Sequence, residues 1–292
     1  MEIVMGKLDI IKIISEKRCI IGEGPIWNEC ENTLYFTNGM GGEICSYNFT
    51  NDKLSVRPLP FSVSAFAFDR QNRLIVSNVN GVHFLNSDNT LSPIYDQNTK
   101  IEYANDMKVG PDGAIYVGTQ SGKRKGVSDK IDGKLYRIAP SGEVEILLDN
   151  LILSNGMEWS IDEKKFYHTD SDTRIIKEYD FDRSTGKISY TGREIYIRGV
   201  DGFTIGQDNN LYVACWAQGH IAVIDTQTLQ IKEFIDVPCR IPASCGFCGK
   251  DMDVLAITTA SYHADMDNDK NAGFTVLAKM QIKGRLPYIF AK

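Results

Sequence analysis

The sequence predicts an all-β chain, one six-bladed β-propeller spanning residues 1–292 with a central metal-binding channel. Two observations carry this expectation. A strand-bearing unit recurs six times at the period of one blade, and one position of that unit is polar in nearly every copy. The unit opens on an apolar anchor, passes a polar turn and enters a short strand rich in Leu, Tyr, Val and Thr. The anchors are Trp27, Phe68, Val109, Trp159, Ile205 and Phe247, separated by 41, 41, 50, 46 and 42 residues. One four-stranded blade takes about 40–50 residues, so each copy is read as one blade.

The strands follow in order. After each anchor comes a turn such as Pro111-Asp112-Gly113 and then a second strand such as Ile115-Tyr116-Val117-Gly118-Thr119. Third strands are expected at 43–47, 133–138, 175–179 and 220–224, and fourth strands at 144–148 and 231–235. These runs alternate or stay apolar over a few residues and are split by turn formers, which is strand chemistry. Helical stripes are absent between them, which excludes a doubly wound α/β fold, and the repeat count excludes eight blades. The sixth copy has a third strand at 273–277 and little chain after it. Residues 8–14, ahead of the first anchor, are therefore expected to supply its outer strand, closing the ring and removing an exposed edge.

Composition narrows the partners. Of 292 residues, 42% are hydrophobic and 24% charged, ordinary for a soluble globular chain, and the net charge of -6 argues against nucleic acid. No apolar run reaches the roughly 20 residues that cross a bilayer, and the N-terminus has no secretory pattern. Seven scattered cysteines fit a reducing cytoplasm better than a disulfide framework. The expectation is a cytoplasmic monomer or weak homodimer that binds neither nucleic acid nor membrane.

In a propeller the first strand of each blade lines the channel, so equivalent positions converge. Four residues before the anchors stand Glu23, Ser64, Asn105, Asn155 and Asp201, with Ala243 or Ser244 in the sixth copy. Polar side chains at such depth need hydrogen bonds or a metal, because an unsatisfied buried group costs on the order of 1–3 kcal/mol. Asn155-Gly156 and Asp201-Gly202 are also turn dipeptides, and Glu23 stands beside Gly24-Pro25. Turn residues have no reason to recur in register with the anchors of separate blades, so a shared site is the stronger reading. Carboxylates with amide oxygens suit one hard divalent cation, Ca²⁺ first, with Mg²⁺ or Mn²⁺ next; no histidine falls in register, which weakens zinc.

The segments Gly22-Glu23-Gly24-Pro25-Ile26-Trp27, Asn105-Asp106-Met107-Lys108-Val109-Gly110-Pro111-Asp112-Gly113, Ser154-Asn155-Gly156-Met157-Glu158-Trp159-Ser160 and Asp201-Gly202-Phe203-Thr204 resemble the regucalcin (senescence marker protein) and gluconolactonase family of six-bladed propeller lactonases. The resemblance runs essentially the whole length, and four motifs in order are far more specific than one. It implies that Glu23, Asn155 and Asp201 are metal ligands, that Asn105 touches substrate or a metal-bound water, and that Asp201 is also the general acid/base. Two positions depart from family members that act on sugar lactones. Tyr103 stands where they often have Arg, and Lys123 aligns with a loop position where they often have Glu, which alters the side that faces substrate.

The expected activity is metal-dependent opening of a lactone ring, the ion polarising the carbonyl and Asp201 moving the proton. The alternative is a non-catalytic calcium-binding regulatory protein of the regucalcin type. Other motifs read as structural. Cys245-Gly246-Phe247-Cys248 is a lone pair of cysteines around an anchor. Asp265-Met266-Asp267-Asn268-Asp269 lacks the Gly and the acidic twelfth residue of a calcium loop. Lys123-Arg124-Lys125 is a basic run on an exposed loop near the channel mouth, with contact to an anionic substrate as the second reading. His168 reads as a hydrogen-bonded packing residue, and no Gly-x-Ser-x-Gly elbow is present.

Overall fold

Each repeat folds into one antiparallel sheet in the computed structural model, which describes residues 4–292. Two strands, β1 (Val4–Lys7) and β2 (Asp9–Ile14), precede the repeats. Blade 1 comprises β3 (Gly22–Asn28), β4 (Thr33–Asn38), β5 (Glu43–Asn48) and β6 (Lys53–Pro58). Blade 2 comprises β7 (Ala65–Phe68), β8 (Leu74–Asn78), β9 (Gly81–Leu85) and the short β10 (Leu91–Pro93). Blade 3 comprises β11 (Ala104–Val109), β12 (Ile115–Thr119), a helical turn α1 (Gly122–Lys125), β13 (Gly133–Ile138) and β14 (Val144–Leu151). Blade 4 comprises β15 (Ser154–Trp159), β16 (Lys165–Asp170), β17 (Ile175–Asp182) and β18 (Lys187–Tyr196). Blade 5 comprises β19 (Val200–Ile205), β20 (Asn210–Cys215), β21 (His220–Asp225) and β22 (Gln230–Asp236). Blade 6 comprises β23 (Pro242–Cys248), β24 (Val254–Thr259) and β25 (Thr275–Lys279).

The outer strand of blade 6 is β2, which pairs antiparallel with β25 through Ile13 opposite Val276, as the sequence predicted. The sequence did not signal β1, which adds parallel to β22 as a fifth strand of blade 5. The blades fall into two compact units. One, Met1–Pro58 with Ile195–Leu286, holds blades 1, 5 and 6; the other, Leu59–Glu194 with Pro287–Lys292, holds blades 2, 3 and 4.

Burial within a blade explains the sequence pattern of its strands. The first strands β15, β19 and β23 are buried along their whole length, so the polar side chains they carry, Ser154, Asn155, Glu158, Asp201, Thr204 and Ser244, are buried with them. The last strand β18 alternates exposed and half-buried positions, the pattern of a sheet with one wet face. The anchors are core residues. Trp159 is fully buried, its ring 4.8 Å from that of Tyr116 in an edge-on arrangement, a geometry aromatic pairs favour.

The turn after each anchor is also a repeat. Asn32, Asn72, Gly113, Glu163, Asn209 and Met252 all have φ between 49° and 74°. Each donates its backbone N–H to the carbonyl three residues back, which closes the first hairpin of all six blades. Asn and Gly tolerate this left-handed conformation best, which is why four of the six copies carry one of them. Among the described residues no helix is long and apolar enough to cross a membrane.

Candidate metal and substrate site

A second irregularity recurs with the turn. In blades 3, 4 and 5 the ladder between first and second strands slips between Ala104 and Met107, Ser154 and Met157, and Val200 and Phe203. Each slip leaves two residues opposite one, and the first of the two is Asn105, Asn155 or Asp201. Blade 1 slips between Glu23 and Ile26, immediately after Glu23, and blade 6 between Pro242 and Ser244 around Ala243. Blade 2 pairs regularly from Ala65 to Phe68, and Ser64 bonds to Ser77 instead. A bulge releases its residue from the ladder and re-aims the side chain. The register noticed in the sequence is thus a register of bulges, and the positions carrying carboxylate or amide are the bulged ones or abut them.

In the unit of blades 2–4 the two amides are built together. Asn105 Nδ2 donates to the Ser154 carbonyl at 3.1 Å, and Gln120 Nε2 donates to Asn105 Oδ1 at 2.8 Å. These bonds set which end of the Asn105 amide is the donor and leave its second N–H for a ligand. Ser154, adjacent to Asn155, is held from the other side by His168, whose Nε2 lies 2.7 Å from Ser154 Oγ. Gly118 of β12 must be glycine because a Cβ there would overlap Ser154 Oγ. His168 is buried, and desolvation, helped by the Lys177 charge, lowers its pKa to about 3, so the ring is neutral. Gln120 and His168 carry the site's support and lie outside the register of polar positions. Only the position of Gln120 directly after β12 could have flagged it.

Next to Asn105, burial raises the Asp106 carboxyl above the usual range, opposed by the Lys108 charge. Lys108 Nζ itself pairs with Glu158 at 2.9 Å, and the Glu158 side chain is 7% exposed. This bridge ties β11 to β15 three residues along from the two amides.

In the unit of blades 1, 5 and 6, β23 lies against both β19 and β3. The strands approach closely where Gly202, beside Asp201, faces Ser244, since a Cβ on Gly202 would overlap Ser244 Oγ. Asp201 is 7% exposed and Glu23 is half-buried, while Asn155 in the other unit is 8% exposed. Carboxylates at this depth demand compensation. Among the described residues no group of three or more His, Cys, Asp or Glu side chains suits a metal. The side chains of Glu23, Asn155 and Asp201 offer carboxylate and amide oxygens. Their all-oxygen chemistry fits Ca²⁺, Mg²⁺ or Mn²⁺.

Tyr103 has φ 57°, its N–H donating to the Val79 carbonyl and its carbonyl accepting from Gln120. Lys123 is exposed on α1, the helical turn between β12 and β13 where the sequence had suggested only a loop. Cys245 and Cys248 are buried free thiols in the core, in keeping with a structural role.

Residues 21–261 match the SMP-30/Gluconolactonase/LRE-like region. The chain belongs to that family. Regucalcin from Sus scrofa is 30% identical over 96% of this chain and 98% of its own length. Regucalcin from Xenopus laevis is 29% identical over 98% and 100%. Among solved structures, the calcium-binding protein regucalcin from Agrobacterium tumefaciens superimposes with a TM-score of 0.86 at 21% identity, covering 99% of both chains. A gluconolactonase from Xanthomonas campestris gives 0.72 at 19% identity, covering 96% and 98%. These likenesses show the six-bladed propeller fold, and membership of the gluconolactonase and regucalcin family supports a lactonase-like or regucalcin function.

Proposed function

We propose that the chain is a metal-dependent hydrolase that opens the ester ring of a lactone. The observation that carries this reading is the repeated bulge: in a member of this family, it presents an oxygen-donor side chain at the same register in separate blades. Glu23, Asn155 and Asp201 would hold one divalent cation, their two carboxylates matching its charge. When bound, such an ion polarises the ester carbonyl and makes nearby water more acidic.

The chain's own groups do the rest. Asp201 takes a proton as water adds to the carbonyl carbon, and returns it to the ring oxygen when that C–O bond breaks. A carboxylate shared with a cation is a weak base, so positioning carries much of the rate. The second N–H of Asn105 donates to the carbonyl oxygen as charge develops there, and Gln120 keeps that amide facing the right way.

The test is a pH-indicator hydrolysis screen over aldonolactones and aliphatic lactones with Ca²⁺, Mg²⁺, Mn²⁺ or Zn²⁺, before and after chelation. Turnover lost on chelation and in Asp201→Asn is expected. A calcium-binding regulatory role is the second reading, supported by the relatives that carry the regucalcin name. Metal binding with no turnover on any substrate would establish it instead.

A further inference from the structure

We infer that the substrate carries an anionic group, a carboxylate or phosphate, held by Lys123 and Lys125 beside Tyr103; this rests on the lactonase reading and names its substrate class. The basic run is an ordered turn. Ser121 Oγ caps it by accepting from Arg124 N at 3.1 Å, and Gly126, with φ 71°, closes it by donating to the Lys123 carbonyl at 3.1 Å. Gly122 N donates to the Asp132 carboxylate at 2.8 Å, and Lys123 N donates to the Lys130 carbonyl at 2.9 Å. The cations are therefore presented from a fixed backbone.

The root of this turn is the residue that orients Asn105. Gln120 donates its side chain to Asn105 and its backbone N–H to the Tyr103 carbonyl at 2.9 Å. Tyr103 holds a left-handed backbone that a bulky residue adopts only where its surroundings dictate. Lys125 Nζ stands 6.0 Å from the centre of the Tyr103 ring. Arg124 turns aside to Asp172 at 3.5 Å, whereas Lys123 and Lys125, both exposed, make no ion pair among the described residues.

Charge supplies the last step. The whole chain is at -6, yet residues 121–132 hold Lys123, Arg124, Lys125 and Lys130 against Asp129 and Asp132, four minus two, or +2. A solvated rim in an acidic protein has no need of a local excess of the opposite sign next to an oriented amide. An anion arriving there meets two cations and is drawn in by their field.

The experiment compares kcat/KM within two pairs: D-glucaro-1,4-lactone against neutral D-glucono-1,4-lactone, and 6-phospho-D-glucono-1,5-lactone against D-glucono-1,5-lactone. The anionic member of at least one pair should be preferred about tenfold at low salt, and the preferred pair identifies carboxylate or phosphate. That ratio should fall towards one in K123A/K125A and in high salt, and should persist in K123R/K125R. Lactones hydrolysed without this preference, or a preference that survives K123A/K125A, would overturn the inference and leave the lactonase reading standing. If no lactone is hydrolysed, the lactonase reading fails. Calorimetric titration with the same four compounds then decides: charge-dependent binding lost in K123A/K125A keeps the anion site, and its absence removes it.

Discussion

The side-chain amide of Asn105 is bonded to the main chain of Ser154 at 3.1 Å, so a polar bulge residue of blade 3 is anchored on the residue preceding its counterpart in blade 4. Gln120 completes the arrangement at 2.8 Å. Replacing Gln120 by Leu removes the bond that orients the amide and leaves Asn105 itself intact. Lactone kcat/KM should fall roughly tenfold, while stability changes by only about 1 kcal/mol, the net worth of one neutral hydrogen bond. Asn105→Ala should cost about 100-fold or more, as loss of an oxyanion donor does. Wild-type kinetics in the Leu variant would show that Gln120 has no orienting role.

Metal removal has a signature independent of activity. A ligand bound only to the folded state stabilises by about 2.7 kcal/mol at 100 times its Kd. Calcium should raise the Tm of the wild type, chelation should reverse this, and Glu23→Gln or Asp201→Asn should abolish the calcium-dependent increment. An increment that persists in both variants would place the ion elsewhere.

His168 gives a pH dependence. Its pKa falls from 6.5 to about 3 in the folded protein, so below pH 6.5 the unfolded chain binds a proton that the folded chain refuses. Stability from this group is complete above about pH 6.5 and declines as pH falls towards 3, by about 1.4 kcal/mol per unit. His168→Gln can still bond Ser154 but does not titrate. Denaturant melts of both proteins at pH 7 and pH 5 should give a shallower pH slope for the variant, by roughly 2 kcal/mol over that range. Parallel slopes would mean that the ring is not held neutral.

Lys108 and Glu158 form a largely buried pair, and Asp106 feels both charges. Lys108→Met leaves two carboxylates without their cation and should destabilise by about 3–5 kcal/mol. The double variant Lys108→Met/Glu158→Leu should recover much of that loss. A double variant no more stable than the single one would show that packing, not charge, sets the cost.

The propeller was legible because its repeat is written in chemistry a single sequence displays: apolar anchors, left-handed turn residues and short strands. The third strand of blade 3, Gly133–Ile138, begins and ends where its pattern does. The register of Glu23, Asn105, Asn155 and Asp201 was equally visible, and the bulges supply its physical cause. What supports them was not. Gln120 and His168 reach Asn105 and Ser154 through side chains from elsewhere in the blades, contacts that no spacing along the chain reveals. The helical turn at Gly122–Lys125 spans only four residues, too few for any helical period to show. The strand Val4–Lys7 is fixed by pairing with Glu233–Asp236, over 200 residues away.

That blade 6 takes β2 from one end of the sequence and β25 from the other has a consequence for synthesis. β2 leaves the ribosome 261 residues before β25 begins, 275 minus 14, a delay of roughly 13–50 s at ordinary elongation rates of 5–20 residues per second. Blades 2, 3 and 4 are continuous in sequence and can assemble as they emerge, whereas Ile10, Ile11, Ile13 and Ile14 must wait without their partner. Asp9 and Lys12 punctuate that isoleucine run, and charges so placed discourage premature pairing with another chain. The newborn protein thus carries a sticky, guarded segment for most of its own translation.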